Sequence, residues 1–125
     1  MILLTVEEII RLHRKLVNMT GGSADIRDRG LLESAVYSTE ASFGGVEQYP
    51  DVSEKAARLA FGLISNHAFV DGNKRIGMFV MLTFLEVNGI GMDCTNADVA
   101  ETGWAVASGK MDYDALLQWI KERRA

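Results

Sequence analysis

Nine consecutive residues, His67-Ala-Phe-Val-Asp-Gly-Asn-Lys-Arg75, gather an imidazole, a carboxylate, a carboxamide and two cations. His67 is the one group among them able to accept a proton near neutral pH, the task of a general base. Lys74 supplies a compact positive charge and Arg75 a planar fork, both suited to phosphate oxygens. Gly72 has no Cβ, so its backbone can approach an anion closely and tolerate a positive φ. Asn73 can either fix the turn or donate its amide to a phosphate oxygen. Asp71 is a hard oxygen ligand of the kind Mg²⁺ takes while bridging phosphates. Together these types fit phosphoryl or nucleotidyl transfer, with His67 deprotonating the acceptor hydroxyl. Each also has a plainer use: a histidine packing at a helix end, an Asp-Gly-Asn turn, a solvated Lys-Arg pair. Their co-occurrence in one short stretch favours an anion or nucleotide site.

The element that must position this stretch follows it directly. From Ile76 to Val87 the chain carries Ile76, Met78, Phe79, Val80, Met81, Leu82, Phe84, Leu85 and Val87, apolar on every side. Such a helix is expected to be surrounded by others, while the charged residues ahead of it open its start to solvent. A helix N-terminus carries unpaired N–H groups and about half a positive charge, which suits phosphate. Phe69 reads as the anchor that pins the loop to the core.

Helical spacing recurs elsewhere. Thr5, with Glu8 three residues on, opens a helix bearing Val6, Ile9, Ile10, His13, Leu16 and Val17, and Gly21-Gly22-Ser23 ends it. His13, on that apolar face, reads as a packing residue. Asp28 caps a short helix with Leu31, Leu32, Ala35 and Val36. Ser53 is expected to cap a third, with Ala56, Leu59, Ala60, Leu63 and Ile64; the apolar helix begins near Arg75 and stops at Asn88-Gly89. Thr95 and Asp98 start a fifth through Ala100, Trp104 and Ala107, and Asp112 a sixth with Tyr113, Leu116, Leu117 and Ile120. Between them, Ser42–Pro50 (SFGGVEQYP) reads as a loop or small hairpin. The expectation is one compact all-α domain, residues 1–125, a bundle of about six helices.

Composition narrows the function classes. The chain has 125 residues and a formal charge of −4, which argues against a broad basic face for nucleic acid. Its single cysteine, Cys94, reads as a structural thiol that suits a reducing compartment. The start lacks the basic region of a signal peptide, and the apolar run is shorter than the roughly 20 residues of a membrane span. A cytoplasmic location is expected, with no membrane and no direct nucleic-acid contact.

The nonapeptide resembles the signature of the Fic/Doc superfamily, whose Fic branch reads roughly H-P-F-x-(D/E)-G-N-G-R-x-x-R. Ile26–Val36 (IRDRGLLESAV), Glu54–Asn66 (EKAARLAFGLISN) and Phe84–Gly89 (FLEVNG) look like stretches of the Doc, or death-on-curing, branch. The likeness reaches about Gly91. It implies a Fic/Doc-like helical bundle with a short flap. By position, His67 is similar to the family's catalytic base, Phe69 to its buried anchor and Asp71 to the acid that holds Mg²⁺. Gly72 and Asn73 match the anion-binding turn and Arg75 the first motif arginine.

Two departures are informative. Lys74 replaces the glycine with which AMP-transferring members seat inner phosphates, and Met78 stands where their second arginine would be. Both changes look like the Doc branch, which implies ATP bound in a reversed sense and transfer of its γ-phosphate. Lys74 would crowd the slot for inner phosphates and could stabilise a transferring γ-phosphoryl group instead. Gly72 differs in turn from the alanine of the archetypal Doc motif.

The resemblance further implies the toxin of a toxin–antitoxin pair, with ATP and Mg²⁺ as cofactors. Its target would be a threonine on elongation factor Tu and its outcome an arrest of translation. No (S/T)-x-x-x-E-(G/N) inhibitory pattern occurs, so restraint is expected from an antitoxin whose disordered tail folds onto the toxin. In the flap, Phe43, Gly44, Gly45 and Tyr49 could align the target peptide. An AMP transferase and a non-catalytic antitoxin-binding or co-repressor module are the alternatives.

Overall fold

Five of the six helices begin where a short polar side chain meets the first free N–H groups. Thr5 Oγ1 accepts from the Glu8 N–H (3.1 Å) and Glu8 returns the bond to the Thr5 N–H (3.0 Å), opening α1, Val6–Thr20. Asp28 caps α2, Arg29–Tyr37, through the Leu31 N–H. Helix α3, Val52–Asn66, is capped by Asp51 and not by Ser53, which is buried and accepts instead from Arg124. A carboxylate at the N-cap also meets the positive helix end, an advantage serine lacks. Helix α4 spans Asn73–Val87, two residues earlier than the spacing suggests. Thr95 with Asp98 opens α5, Asn96–Ala107, and Asp112 opens α6, Tyr113–Arg123. The computed structural model describes residues 1–125, and no helix in it is long and apolar enough to cross a membrane.

The six helices confirm the all-α expectation. A 3-10 turn, Ser38–Glu40, leads into a hairpin of β1 (Ser42–Phe43) and β2 (Val46–Glu47) in antiparallel register. Gly44 and Gly45 both have positive φ (58° and 80°), as the tightest two-residue hairpin turn requires.

Helix α4 is the shared wall of two core clusters. On one side Met78, Met81, Phe84 and Leu85 pack with α3, α5 and α6, including Leu116, Trp119 and Ile120. On the other, Ile76 and Val80 pack with α1, α2 and the buried Phe69. Gly77 permits the close crossing with α3, since a Cβ there would stand 2.5 Å from Ile64 Cγ1 and 3.2 Å from the Ala60 carbonyl oxygen. Helix α4 is not enclosed all round, however. Phe79 and Val87 are each 40% exposed, because no neighbouring helix covers that stripe.

In α5 the structure reverses the expected face. Ala100, Trp104 and Ala107 are exposed, whereas Thr102, Gly103 and Val106 are buried. Gly103 is chosen for closeness: a Cβ there would touch Met78 Cγ at 3.0 Å and approach Lys74.

Candidate active site

The loop 67–72 joins the carbonyl end of α3 to the N–H end of α4. His67 closes α3 in the left-handed conformation (φ 51°, ψ 49°), the one non-glycine residue with positive φ. That conformation costs a residue with a Cβ roughly 1–2 kcal/mol, so surrounding contacts must hold it. Arg27 does so. Its Nε donates to the His67 carbonyl (2.7 Å) and its Nη2 to the Asn66 carbonyl (3.1 Å). A cation on the final carbonyls also complements the negative end of α3. Beside this fork, Ile26 and Phe69 form an isolated antiparallel bridge. The N–H groups of Arg27 and Asp28 donate to the Ala68 carbonyl, and that of Val70 to the Asp25 carbonyl. Residues 25–28 are thus a strap along the loop.

From beneath, α1 supports the same loop. The Phe69 ring is buried and stacks on His13, centroids 3.7 Å apart and planes 13° apart. His13 Nε2 lies 2.7 Å from the Asp71 carbonyl oxygen, so that nitrogen carries the proton and donates. Burial pushes the His13 pKa below its ordinary value. The bond to Asp71 opposes the shift and the charge of Arg75 reinforces it. The ring is therefore neutral at physiological pH.

Asn73 closes the loop on itself. The Phe69 N–H donates to Asn73 Oδ1 (3.0 Å) and Asn73 Nδ2 donates to the Phe69 carbonyl (2.9 Å). Of the two roles open to Asn73, its side chain takes the turn-holding one. Ser23 donates its N–H to Asp71 Oδ2 (2.9 Å), which leaves Oδ1 of this exposed carboxylate free of protein partners. Gly72, with φ 78°, is the left-handed N-cap of α4 and supplies no capping side chain. The N–H groups of Asn73, Lys74 and Arg75 consequently meet no acceptor within the protein. Lys74 and Arg75 are exposed and join none of the ion pairs.

The structure places Asp71, Gly72, Asn73, Lys74 and Arg75 at the start of α4, and His67 at the other end of the same loop, where it closes α3. The donor set suits Mg²⁺ in one specific way. No three His, Cys, Asp or Glu side chains cluster to form a protein cage. The free carboxylate oxygen of Asp71 matches an ion that keeps its waters and takes its remaining ligands from phosphates.

The hairpin residues stand apart. Lys55, almost fully buried, anchors the hairpin base by donating to the Thr39 carbonyl (2.9 Å) and to Glu47 Oε1 (3.2 Å). Lys55 lies twelve residues before His67 on α3, about 18 Å along the helix. The reason is that α2 leaves the loop at Asp28 and runs back along α3. Phe43 is 81% exposed at the hairpin and Gly44 and Gly45 form its tip, but Tyr49 packs edge-on against Tyr113 at 5.3 Å.

Sequence reasoning did not find Arg27 or the His13–Asp71 bond. Both join residues forty or more positions apart, and only the Asp28 cap beside Arg27 hinted at an ordered strap.

Comparison with known proteins decides the family. The profile of the Fic/DOC family matches residues 3–85, from α1 through most of α4. The chain belongs to the Fic/DOC family. Within it, this chain is 47% identical over 70 residues to a protein named Toxin Doc from Mycolicibacterium smegmatis; the match covers 56% of this chain and 54% of that protein. The chain thus spans about half the length of that relative. It is also 25% identical over 115 residues to Protein kinase doc of Escherichia phage P1, covering 92% of this chain and 90% of the relative. The Doc names agree with the Doc-branch resemblance drawn from Lys74 and Met78, the two departures from the Fic-branch motif.

Proposed function

We propose that this protein is the toxin of a toxin–antitoxin pair, a kinase that transfers the γ-phosphoryl group of ATP to a Ser/Thr hydroxyl of a protein target. The observation that supports it is the bare N-terminus of α4, with three unpaired N–H groups, two unpaired cations and one free carboxylate oxygen, at the far end of the loop that His67 begins. The names Toxin Doc and Protein kinase doc support the toxin and the kinase respectively.

In this reading the backbone N–H groups of Asn73, Lys74 and Arg75 cradle the phosphates. Asp71 would hold Mg²⁺, which would neutralise phosphate charge there. His67 takes the proton of the attacking hydroxyl, whose oxygen bonds to the γ-phosphorus as the bond to the bridging oxygen breaks and ADP leaves. Lys74 and Arg75 stabilise the charge on the transferring group, so catalysis is mainly positioning and electrostatics. Elongation factor Tu is the target implied by the Doc resemblance, and a disordered antitoxin tail is the implied restraint.

Expression in a bacterial host tests the reading. Growth arrest that disappears in a folded His67→Ala variant is expected. Arrest undiminished by that substitution favours a binding or co-repressor module. ATP·Mg²⁺ titration should show binding that weakens when Lys74 and Arg75 are both replaced by Ala.

A further inference from the structure

His13 lies outside the nonapeptide, yet its surroundings single it out. The side chain is completely buried on α1, and its Nδ1 finds no hydrogen-bond partner. A buried nitrogen without a partner is costly, and an apolar side chain of similar size would avoid the cost. Filling space is therefore an incomplete account of an imidazole at this position. The other face of the ring geometry supplies the rest. The plane lies on Phe69, Nε2 donates to the Asp71 carbonyl, and the same nitrogen lies 3.6 Å from where a Gly72 Cβ would stand. One rigid group thus touches the anchor, the acid and the turn glycine.

We infer that His13 is a positioning residue for phosphoryl transfer, its Nε2–H fixing the Asp71–Gly72 peptide and thereby the aim of the Asp71 carboxylate and of the α4 tip. The inference rests on the transferase reading above; His13 itself touches no reacting atom. The mechanics follow from peptide planarity. The Asp71 carbonyl and the Gly72 N–H share one plane, so holding the oxygen sets the rotation on either side of it. Those rotations are ψ of Asp71 and φ of Gly72, and Gly72 is where the chain swings into α4 at φ 78°. Ser23 fixes the Asp71 side chain from above and Asn73 fixes the Phe69 peptide, but only His13 holds the peptide between them. A displacement of about 1 Å at such a hinge costs on the order of a hundredfold in rate.

Two variants separate positioning from packing. His13→Phe keeps a flat ring against Phe69 and removes the donor. His13→Gln loses the ring and keeps a neutral N–H at about the reach of Nε2. Positioning predicts that folded His13→Phe loses about 10- to 100-fold in kcat with little change in KM for the protein target. His13→Gln should remain within a few-fold of the parent. Amide hydrogen exchange at Phe69, Val70 and Ile76, whose N–H groups are hydrogen-bonded around the turn, should quicken in His13→Phe alone. The reverse ranking, equal impairment of both, or a fully active His13→Phe protein overturns the inference. Should His13→Phe not fold, the Gln variant decides: retained kcat and loop protection support positioning, and their loss overturns it. If the parent protein transfers no phosphoryl group, the kinase reading falls. The exchange pattern then judges His13 by itself, unchanged protection in His13→Phe being the contrary result.

Discussion

Arg27 and His67, forty residues apart in the chain, are joined by a 2.7 Å hydrogen bond from the guanidinium Nε to the histidine carbonyl. The second prong of the same fork reaches Asn66, so a single side chain seals the end of α3 and holds His67 in a conformation it would not adopt alone. The general base of the proposed reaction is thus aimed by backbone restraint. Arg27→Ala is expected to lower kcat about tenfold or more, with ATP affinity nearly unchanged. Because the guanidinium is exposed, the loss of stability should stay near 1 kcal/mol. Arg27→Lys should recover little, since one ammonium cannot bridge two carbonyls. Steady-state kinetics and thermal unfolding of the two variants check this.

Acid should weaken the fold through His13. Burial holds its folded pKa below the ordinary value of 6.5, so the unfolded chain takes up the proton at a higher pH than the folded one. Its contribution is complete above 6.5 and is lost as pH falls from there through the folded value. Urea denaturation at pH 7.5 and pH 5 should show a larger loss on acidification for the parent protein than for His13→Gln. Equal losses would remove His13 from the acid response.

Gly77→Ala should destabilise the helix pair at the centre of the molecule. Alanine is the better helix former by about 1 kcal/mol, but its Cβ would meet Ile64 and the Ala60 carbonyl. Overpacking of this kind costs typically about 1–3 kcal/mol, and the backbone partner cannot move aside. A lowered melting temperature is expected, where propensity by itself would raise it.

Phe43→Ser should leave stability within about 0.5 kcal/mol, because the ring is exposed. If the hairpin holds the target outside the reacting centre, the variant raises KM for the protein target and leaves ATP affinity intact. Fluorescence titration with nucleotide and kinetics with varied target separate the two effects.

What could be read from the chain were the features carried by neighbouring residues. The capping pairs Thr5–Glu8 and Thr95–Asp98, the Asp28 and Asp112 caps and the positive φ of Gly72 all lie within a few residues of their partners. The order of His67, Asp71, Lys74 and Arg75 was equally plain, since one nine-residue stretch carries them all. Long-range choices were hidden. The face of α5 was misread because its buried side carries Gly103, set against α4, and Thr102, whose small side chains give no apolar signal beside the conspicuous Trp104. Asp51 and Ser53 are both competent caps, and the burial of Ser53 against Arg124 is visible only once α6 is in place. The hairpin follows α2 in sequence, but its distance from His67 is set by the direction in which α2 packs on α3.

The most direct test uses elongation factor Tu with ATP labelled at either the γ or the α position. Phosphoryl transfer by His67 requires protein label from γ-labelled ATP, none from α-labelled ATP, and none from either with the His67→Ala variant. Label from the α position only would make the protein an AMP transferase and contradict the kinase assignment.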